Sequence, residues 1–183
     1  TYGDQEDEWY YALVRAIAHG AQIKTREFRT WWTENTDRAV TDRMLGFLEE
    51  VLLAGSNTQY VVFIDEINKT LNLDFRDDFF ATIRSLHLKR ATDPAFRRIS
   101  FVFLGTATPL DLISNPARTP FNIGRAVELG DFEYEDALTL IQGFEMPPGV
   151  GEKVLSWVLD WTNGHPYLTQ VICHQVALQE QAA

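Results

Sequence analysis

A chain of 183 residues with 45% hydrophobic content can bury a substantial core, as one domain or as one domain with a small appendage. Its 26 acidic residues outnumber the 16 basic ones, for a net charge of -10, and without a long basic run this argues against nucleic-acid or anionic-membrane binding through bulk charge. The single cysteine, Cys173, excludes an internal disulfide and a cysteine-based zinc cluster, and fits a reducing, cytoplasmic setting.

No apolar stretch reaches the roughly 18 residues that read as a membrane span. The acidic start, "TYGDQEDEWYYAL", is unlike a secretory signal. A chain that opens on Thr1 instead of methionine reads as a fragment.

In chain order, "DEWYYALVRAIAHG" predicts a helix with Trp9, Leu13 and Ile17 on one face and Gly20 as its stop. The segment "DRMLGFLEEVLLAG" predicts a second, with Met44, Leu45, Leu48, Val51 and Leu52 at helical spacing. Tyr60 to Ile64 is a continuous apolar run of strand length, as expected for a strand covered on both faces in a parallel sheet. "RDDFFATIRSLHLKR" predicts a helix whose acids at the start and bases at the end match the helix dipole.

A second strand is expected over Ile99 to Leu104, running into Gly105-Thr106-Ala107-Thr108-Pro109, and a third, shorter one over Ala126 to Leu129. Beyond Gly130 the pattern is helical: "YEDALTLIQGF", "GEKVLSWVLDW" and "PYLTQVICHQVALQE", separated by turn-rich "EMPPGVG" and "TNGH". Strands alternating with helices, then a helical tail, give an α/β fold at 1–130 with a small α-helical lid at 131–183. Trp31 and Trp32, and Phe79 with Phe80, are most simply core or interface aromatics, and His165 and His174 surface or boundary residues.

The chemistry-bearing stretch is "VVFIDEIN", in which the first strand runs into two adjacent carboxylates, Asp65 and Glu66. Like charges side by side resist burial, so this spot should want negative charge or use it; a magnesium ion and a water molecule are the obvious candidates. Ligands of open parallel sheets gather outside the carboxyl ends of the strands, where this pair sits. In a Walker-B site the first acid holds magnesium and the second orients the attacking water. The alternative is that the pair merely starts a helix or turn. A metal nuclease of the restriction type would want Glu-x-Lys on the strand, whereas Lys69 lies three residues beyond Glu66.

Together, "FIDEI", "FLGTATP", "TPFNIGR" and "WTNGHPYLTQVIC", in this order, resemble the AAA-like domain of bacterial STAND-type P-loop ATPases, and the likeness covers the chain from about Trp9 onward. The resemblance implies a partial P-loop NTPase core, ATP and magnesium as cofactors, and signalling modules such as WD repeats attached elsewhere. It assigns Asp65 to the magnesium ion, Glu66 to water activation, and Thr106 or Thr108 to the sensor-one position that touches the γ-phosphate or the attacking water. Arg125 would be a phosphate-facing or intersubunit arginine; a surface arginine before an edge strand is the alternative. Gly164 and Pro166 match a Gly-x-Pro element that lies against the nucleotide. Asn163-Gly164 is also good helix C-cap chemistry, and Pro166 suits the first turn of the next helix.

The resemblance has one gap: no Gly-Lys dipeptide occurs, so the phosphate-cradling loop G-x-x-x-x-G-K-[ST] is absent from these residues. The expectation is that the chain starts downstream of that loop and its strand, leaving the sensor-one strand with an unpaired apolar edge and negligible ATP hydrolysis by the fragment alone. The expected function is a nucleotide-dependent switch, with self-association or partner proteins engaged through other domains and no nucleic acid or membrane bound. A non-catalytic, ATPase-derived interaction module is the alternative. A DNA-binding helical domain fits poorly, because "YLTQVICHQVALQEQ" carries no Lys or Arg.

Overall fold

The computed structural model describes residues 2–55, 57–108, 110–112, 124–147 and 149–180. They fall into two compact units, Thr1–Ala126 and Val127–Ala183.

The first unit begins with helix α1 (Tyr2–Gly20), which buries Tyr10, Val14, Ile17 and Ala18. The expected stripe is thus rotated by one residue, and Trp9 and Leu13 flank the core instead of filling it. Helix α2 (Thr25–Glu34) has no counterpart in the sequence reading, because charged residues dominate this short segment. It buries Phe28 and Trp32, one turn apart. The same tryptophan carries the guanidinium of Arg43 at 4.8 Å from its ring centre. Arg43, nearly buried, pairs with Asp7 Oδ1 at 2.9 Å, so one cation ties α1 and α2 to helix α3 (Val40–Phe47). Losing Asp7 would leave the Arg43 guanidinium with little water around it, whereas the Asp7 carboxylate is itself well exposed.

Past Phe47 the helix widens into a π-helical turn, Leu48–Leu53. The wider turn brings Leu48 and Leu53, five apart, to the same core as Leu52. Glu49 and Glu50 stay outside, held by Lys89 at 2.6 Å and Arg38 at 2.8 Å. Each fully buried aliphatic or aromatic side chain of this cluster contributes roughly 1.5–3 kcal/mol.

Strand β1 (Tyr60–Ile64) is followed by a 3-10 segment at Ile67–Asn72 and helix α4 (Arg76–Lys89). A short 3-10 turn, Pro94–Arg98, then leads into strand β2 (Ile99–Phe103). The strands pair in parallel with Tyr60 opposite Ile99 and Ile64 opposite Phe103. Phe79 and Phe80 of α4 are fully buried, with their rings 6.3 and 5.8 Å from that of Phe103.

Two expectations about the sheet are corrected. Tyr60, Val62 and Ile64 pack on the helical core, whereas Val61 and Phe63 are 56% and 65% exposed. The apolar run is therefore covered on one face, because every helix described in this unit that packs on it does so from the same side. Residues 126–129 form no strand: they find no ladder partner among the described residues, and Val127 and Leu129 are strongly exposed. β-propensity without a neighbouring edge to pair with does not make a strand.

In the second unit, Glu133 and Asp136 form a capping box for helix α5 (Tyr134–Ala137). This helix continues as a 3-10 segment, Leu138–Gly143, where one α-helix was expected. Helices α6 (Val150–Thr162) and α7 (Pro166–Glu180) complete the unit around Ala137, Phe144, Leu155, Val158 and Cys173. Burial raises the Cys173 thiol pKa, which suits a packing role. His165 and His174 are exposed, as expected.

Candidate functional site

Because β1 and β2 are parallel and in register, both end at the same rim. The ladder extends past the strands: Leu104 N–H donates to Ile64 O at 2.9 Å, and Ile67 N–H donates to Leu104 O at 2.9 Å. The acid pair after β1 and the "GTAT" turn after β2 are thereby brought together. Gly105 makes the approach possible. A Cβ there would stand 2.8 Å from Asn68 Oδ1, 3.0 Å from Ile67 Cγ2 and 3.2 Å from Ile67 N. Any side chain at this position would push the two turns apart.

Asp65 and Glu66 are both exposed at this rim. Asp65 Oδ1 accepts a 2.7 Å hydrogen bond from the backbone N–H of Glu66, and Asp65 makes no ion pair among the described residues. Glu66 has left-handed backbone angles, φ 53° and ψ 42°. For a residue with a Cβ that conformation costs roughly 1–2 kcal/mol. Its carboxylate pairs with Lys69, both side chains being more than half exposed. The pair also starts a turn, as the alternative has it: Glu66 is the N-cap of the 3-10 segment Ile67–Asn72, its carbonyl accepting from the Lys69 N–H at 2.8 Å, although its side chain caps nothing.

The two sensor-one candidates differ. Thr108 is engaged in its own turn: its Oγ1 donates to Asp111 Oδ2 at 2.7 Å, and its backbone N–H donates to the same oxygen at 2.9 Å. These two bonds hold the Asp111 carboxyl below its usual range. Thr106 is exposed and its hydroxyl makes no hydrogen bond among the described residues. Asp111 was missed in the sequence reading, although Thr108-Pro109-Leu110-Asp111 is a legible capping-box pattern. Asn68, which lies against Gly105, carried no comparable signal.

Arg125 is exposed in a stretch without regular structure; most of the "TPFNIGR" motif, residues 119–123, lies outside the described residues. Gly164 and Pro166 belong to the second unit. Asn163 is the left-handed C-cap of α6, Gly164 follows at φ +75°, and Pro166 opens α7, so the capping expectation holds. Gly164 is also pressed against the backbone of Phe132, whose N–H donates to Gly164 O at 2.8 Å.

No cluster of three or more His, Cys, Asp or Glu residues able to hold a metal is found among the described residues. The carboxylates at the rim are those of Asp65 and Glu66, and one or two carboxylates are what magnesium takes when phosphate oxygens and water complete its shell. Two carboxylates do not make a closed zinc or calcium cage.

The family described as the AAA-like domain matches residues 4–183. The chain belongs to that family. A relative of the AAA-like domain is an uncharacterized WD repeat-containing protein of Synechocystis sp., 37% identical over 173 residues. The match covers 93% of this chain and 14% of that protein, so the AAA-like domain spans a small part of its relative's length. No solved structure matches this chain. Membership of an AAA-like family points in general terms to nucleotide binding. No helix of the described residues is long and apolar enough to cross a membrane.

Proposed function

We propose that this AAA-like domain binds ATP with magnesium at the common rim of β1 and β2 and serves as a STAND-like nucleotide-dependent switch. The observation that carries the reading is the in-register end of the two strands, with the acid pair and the Gly105-Thr106 turn on one rim. Glu66 adds to it: a glutamate kept in a left-handed conformation where glycine would be cheaper points to a use for the side chain.

In this reading Asp65, with one carboxylate oxygen engaged by a neighbouring N–H, holds the magnesium ion, which when bound offsets charge on the nucleotide phosphates. Glu66 leaves its exposed pair with Lys69 to orient the attacking water. Such a pair is worth at most about 1 kcal/mol, so a ligand can readily replace it. Thr106 takes the sensor-one position, because Thr108 is held by Asp111. The family resemblance would give Arg125 to the phosphates or a neighbouring subunit, and Gly164 with Pro166 to the nucleotide. Residues 1–130 supply the distal part of the NTPase core, and 131–183 the lid that responds to nucleotide. A domain that is a small fraction of a WD repeat-containing relative suits a cytoplasmic signalling switch controlling other modules.

The test is Glu66→Gln in the full-length protein. Turnover should fall roughly 10²- to 10⁴-fold while nucleotide affinity stays nearly constant. Unchanged turnover removes Glu66 from the mechanism.

The alternative reading is a non-catalytic, ATPase-derived interaction module. Melting with and without Mg-ATP separates the two, since a ligand that binds only the native state must raise Tm.

A further inference from the structure

Five of the sixteen Lys and Arg side chains of this acidic chain fall within residues 84–98, where Asp93 is the one carboxylate. The segment runs from the second half of α4 through the Pro94–Arg98 turn to the start of β2. Where the end of α4 meets that turn lies an open pocket of about 480 Å³, lined by His87, Leu88, Arg90, Ala91 and Arg97. None of the five is acidic. The pocket adjoins the start of β2, at the opposite end of the strand from the rim that carries the acid pair.

The fold fixes both guanidinium groups. Arg90 Nη2 donates to the Ile99 carbonyl and, at 3.3 Å, to Ser100 Oγ. Arg97 Nε donates at 3.3 Å to the Arg90 carbonyl. Among the described residues Arg97 keeps both Nη groups, and Arg90 its Nε and Nη1, without a protein partner. Neighbouring acids do not cancel the two charges. Glu49 is taken by Lys89 at 2.6 Å, and Asp93 caps the 3-10 turn by accepting the Ala95 N–H at 2.8 Å. With Asp93 counted in full against Arg98, the charges of Arg90 and Arg97 remain.

A guanidinium held by one edge offers its other N–H groups as a fork, the geometry that a carboxylate meets with two parallel bonds. Because backbone bonds already restrict the two side chains, little freedom is left to lose on binding. Leu88, 57% exposed, and Ala91 put apolar surface beside the cations. Cations next to apolar surface suit a peptide that inserts a carboxylate and lays a neighbouring side chain alongside, as in recognition of acidic motifs by arginine clusters. A nucleic acid, charged along its whole length, would meet the chain's surplus of carboxylates as well. We infer that the pocket between the end of α4 and the Pro94–Arg98 turn docks, through Arg90 and Arg97, an aspartate- or glutamate-rich segment of a protein partner.

The experiment uses the full chain and two labelled peptides of one pattern, leucine with glutamate and leucine with glutamine, followed by fluorescence anisotropy. The glutamate peptide should bind at least about tenfold more tightly than the glutamine peptide and weaken as salt is raised. Arg97→Glu should weaken it by about tenfold or more. Arg97 is exposed and makes a single side-chain hydrogen bond, so this variant should keep its circular dichroism and melting temperature. Ala91→Glu places a carboxylate in the pocket while leaving every arginine and its bonds intact, and should weaken the peptide by about threefold or more.

Three results overturn the assignment: no binding, equal affinity for both peptides, or unaltered affinity in Arg97→Glu or in Ala91→Glu. Tighter binding of a DNA oligonucleotide or of a phosphatidylserine vesicle, lost in the same variants, would give the pocket to nucleic acid or to lipid and also overturn it. So would concentration-dependent self-association of the full chain that Arg97→Glu abolishes.

Discussion

The carbonyl oxygen of Gly164 accepts a 2.8 Å hydrogen bond from the N–H of Phe132, and the two backbones press together so closely that a Cβ on Gly164 would stand 3.2 Å from that nitrogen and run into the Phe132 carbonyl. Gly164 also sits at φ +75°. Position 164 thus needs glycine twice over, once for conformation and once for space. Gly164→Ala should destabilise the helical unit by roughly 2–4 kcal/mol, the sum of a left-handed alanine and an overpacked contact. Chemical denaturation of the full chain checks it, and a variant as stable as wild type would mean that the chain segments around Phe132 separate without cost.

At the rim of the sheet, Gly105→Ala should cost about 1–3 kcal/mol, because its Cβ would overlap Asn68 Oδ1 and crowd Ile67. If the rim binds nucleotide, Mg-ATP affinity in the full-length protein should fall as well, since the turns after β1 and β2 would be forced apart. Pairing the change with Asn68→Gly, which removes the closest obstacle, should recover part of the lost stability.

The two threonines are separable. Thr106→Ala should leave stability within about 0.5 kcal/mol of wild type, as for other exposed positions without partners, and lower nucleotide turnover. Thr108→Ala should lower the melting temperature by releasing the turn that Asp111 closes. The Asp111 pKa is depressed in the folded chain, so this stabilisation is present above the ordinary aspartate pKa and fades as pH falls through the folded value. The Tm gap between Thr108→Ala and wild type should therefore narrow in acid.

Glu6 shows the opposite sign. Burial, then repulsion from Asp78 and Asp7, raises its pKa above the usual 4.5. Between the unfolded and folded values the native state binds more protons, so stability declines as pH rises through that window. Glu6→Gln should flatten this decline and raise Tm at neutral pH. A lower Tm at pH 7 would show that the carboxylate is held favourably after all.

What the sequence made legible follows from how local each signal is. The helices of "DEWYYALVRAIAHG" and "RDDFFATIRSLHLKR" and both strands are carried by patterns within one segment, and they appear where expected. Helix α2 escaped notice because Phe28 and Trp32 are two anchors in a charged background. The π-helical turn depends on what Leu48 and Leu53 meet across the core, which no window of sequence contains. Residues 126–129 failed as a strand for a related reason: pairing requires an edge elsewhere in the chain.

The site divides in the same way. The order of the acid pair and the "GTATP" turn could be read from residues alone. The engagement of Thr108 by Asp111 and the left-handed backbone of Glu66 are properties of folded turns.

The parallel pairing of β1 with β2 has a kinetic consequence. Residues 65–98 must be looped back before the first ladder bond can form, whereas the helices of residues 127–183 assemble from near neighbours. Long-range strand pairing incurs loop-closure entropy before any contact compensates it, and it slows folding by orders of magnitude relative to helical hairpins. Stopped-flow refolding should therefore show two phases: an early one that restores helical circular dichroism and a later one that quenches solvent exchange at the amides of Val62 and Val102, which face the partner strand.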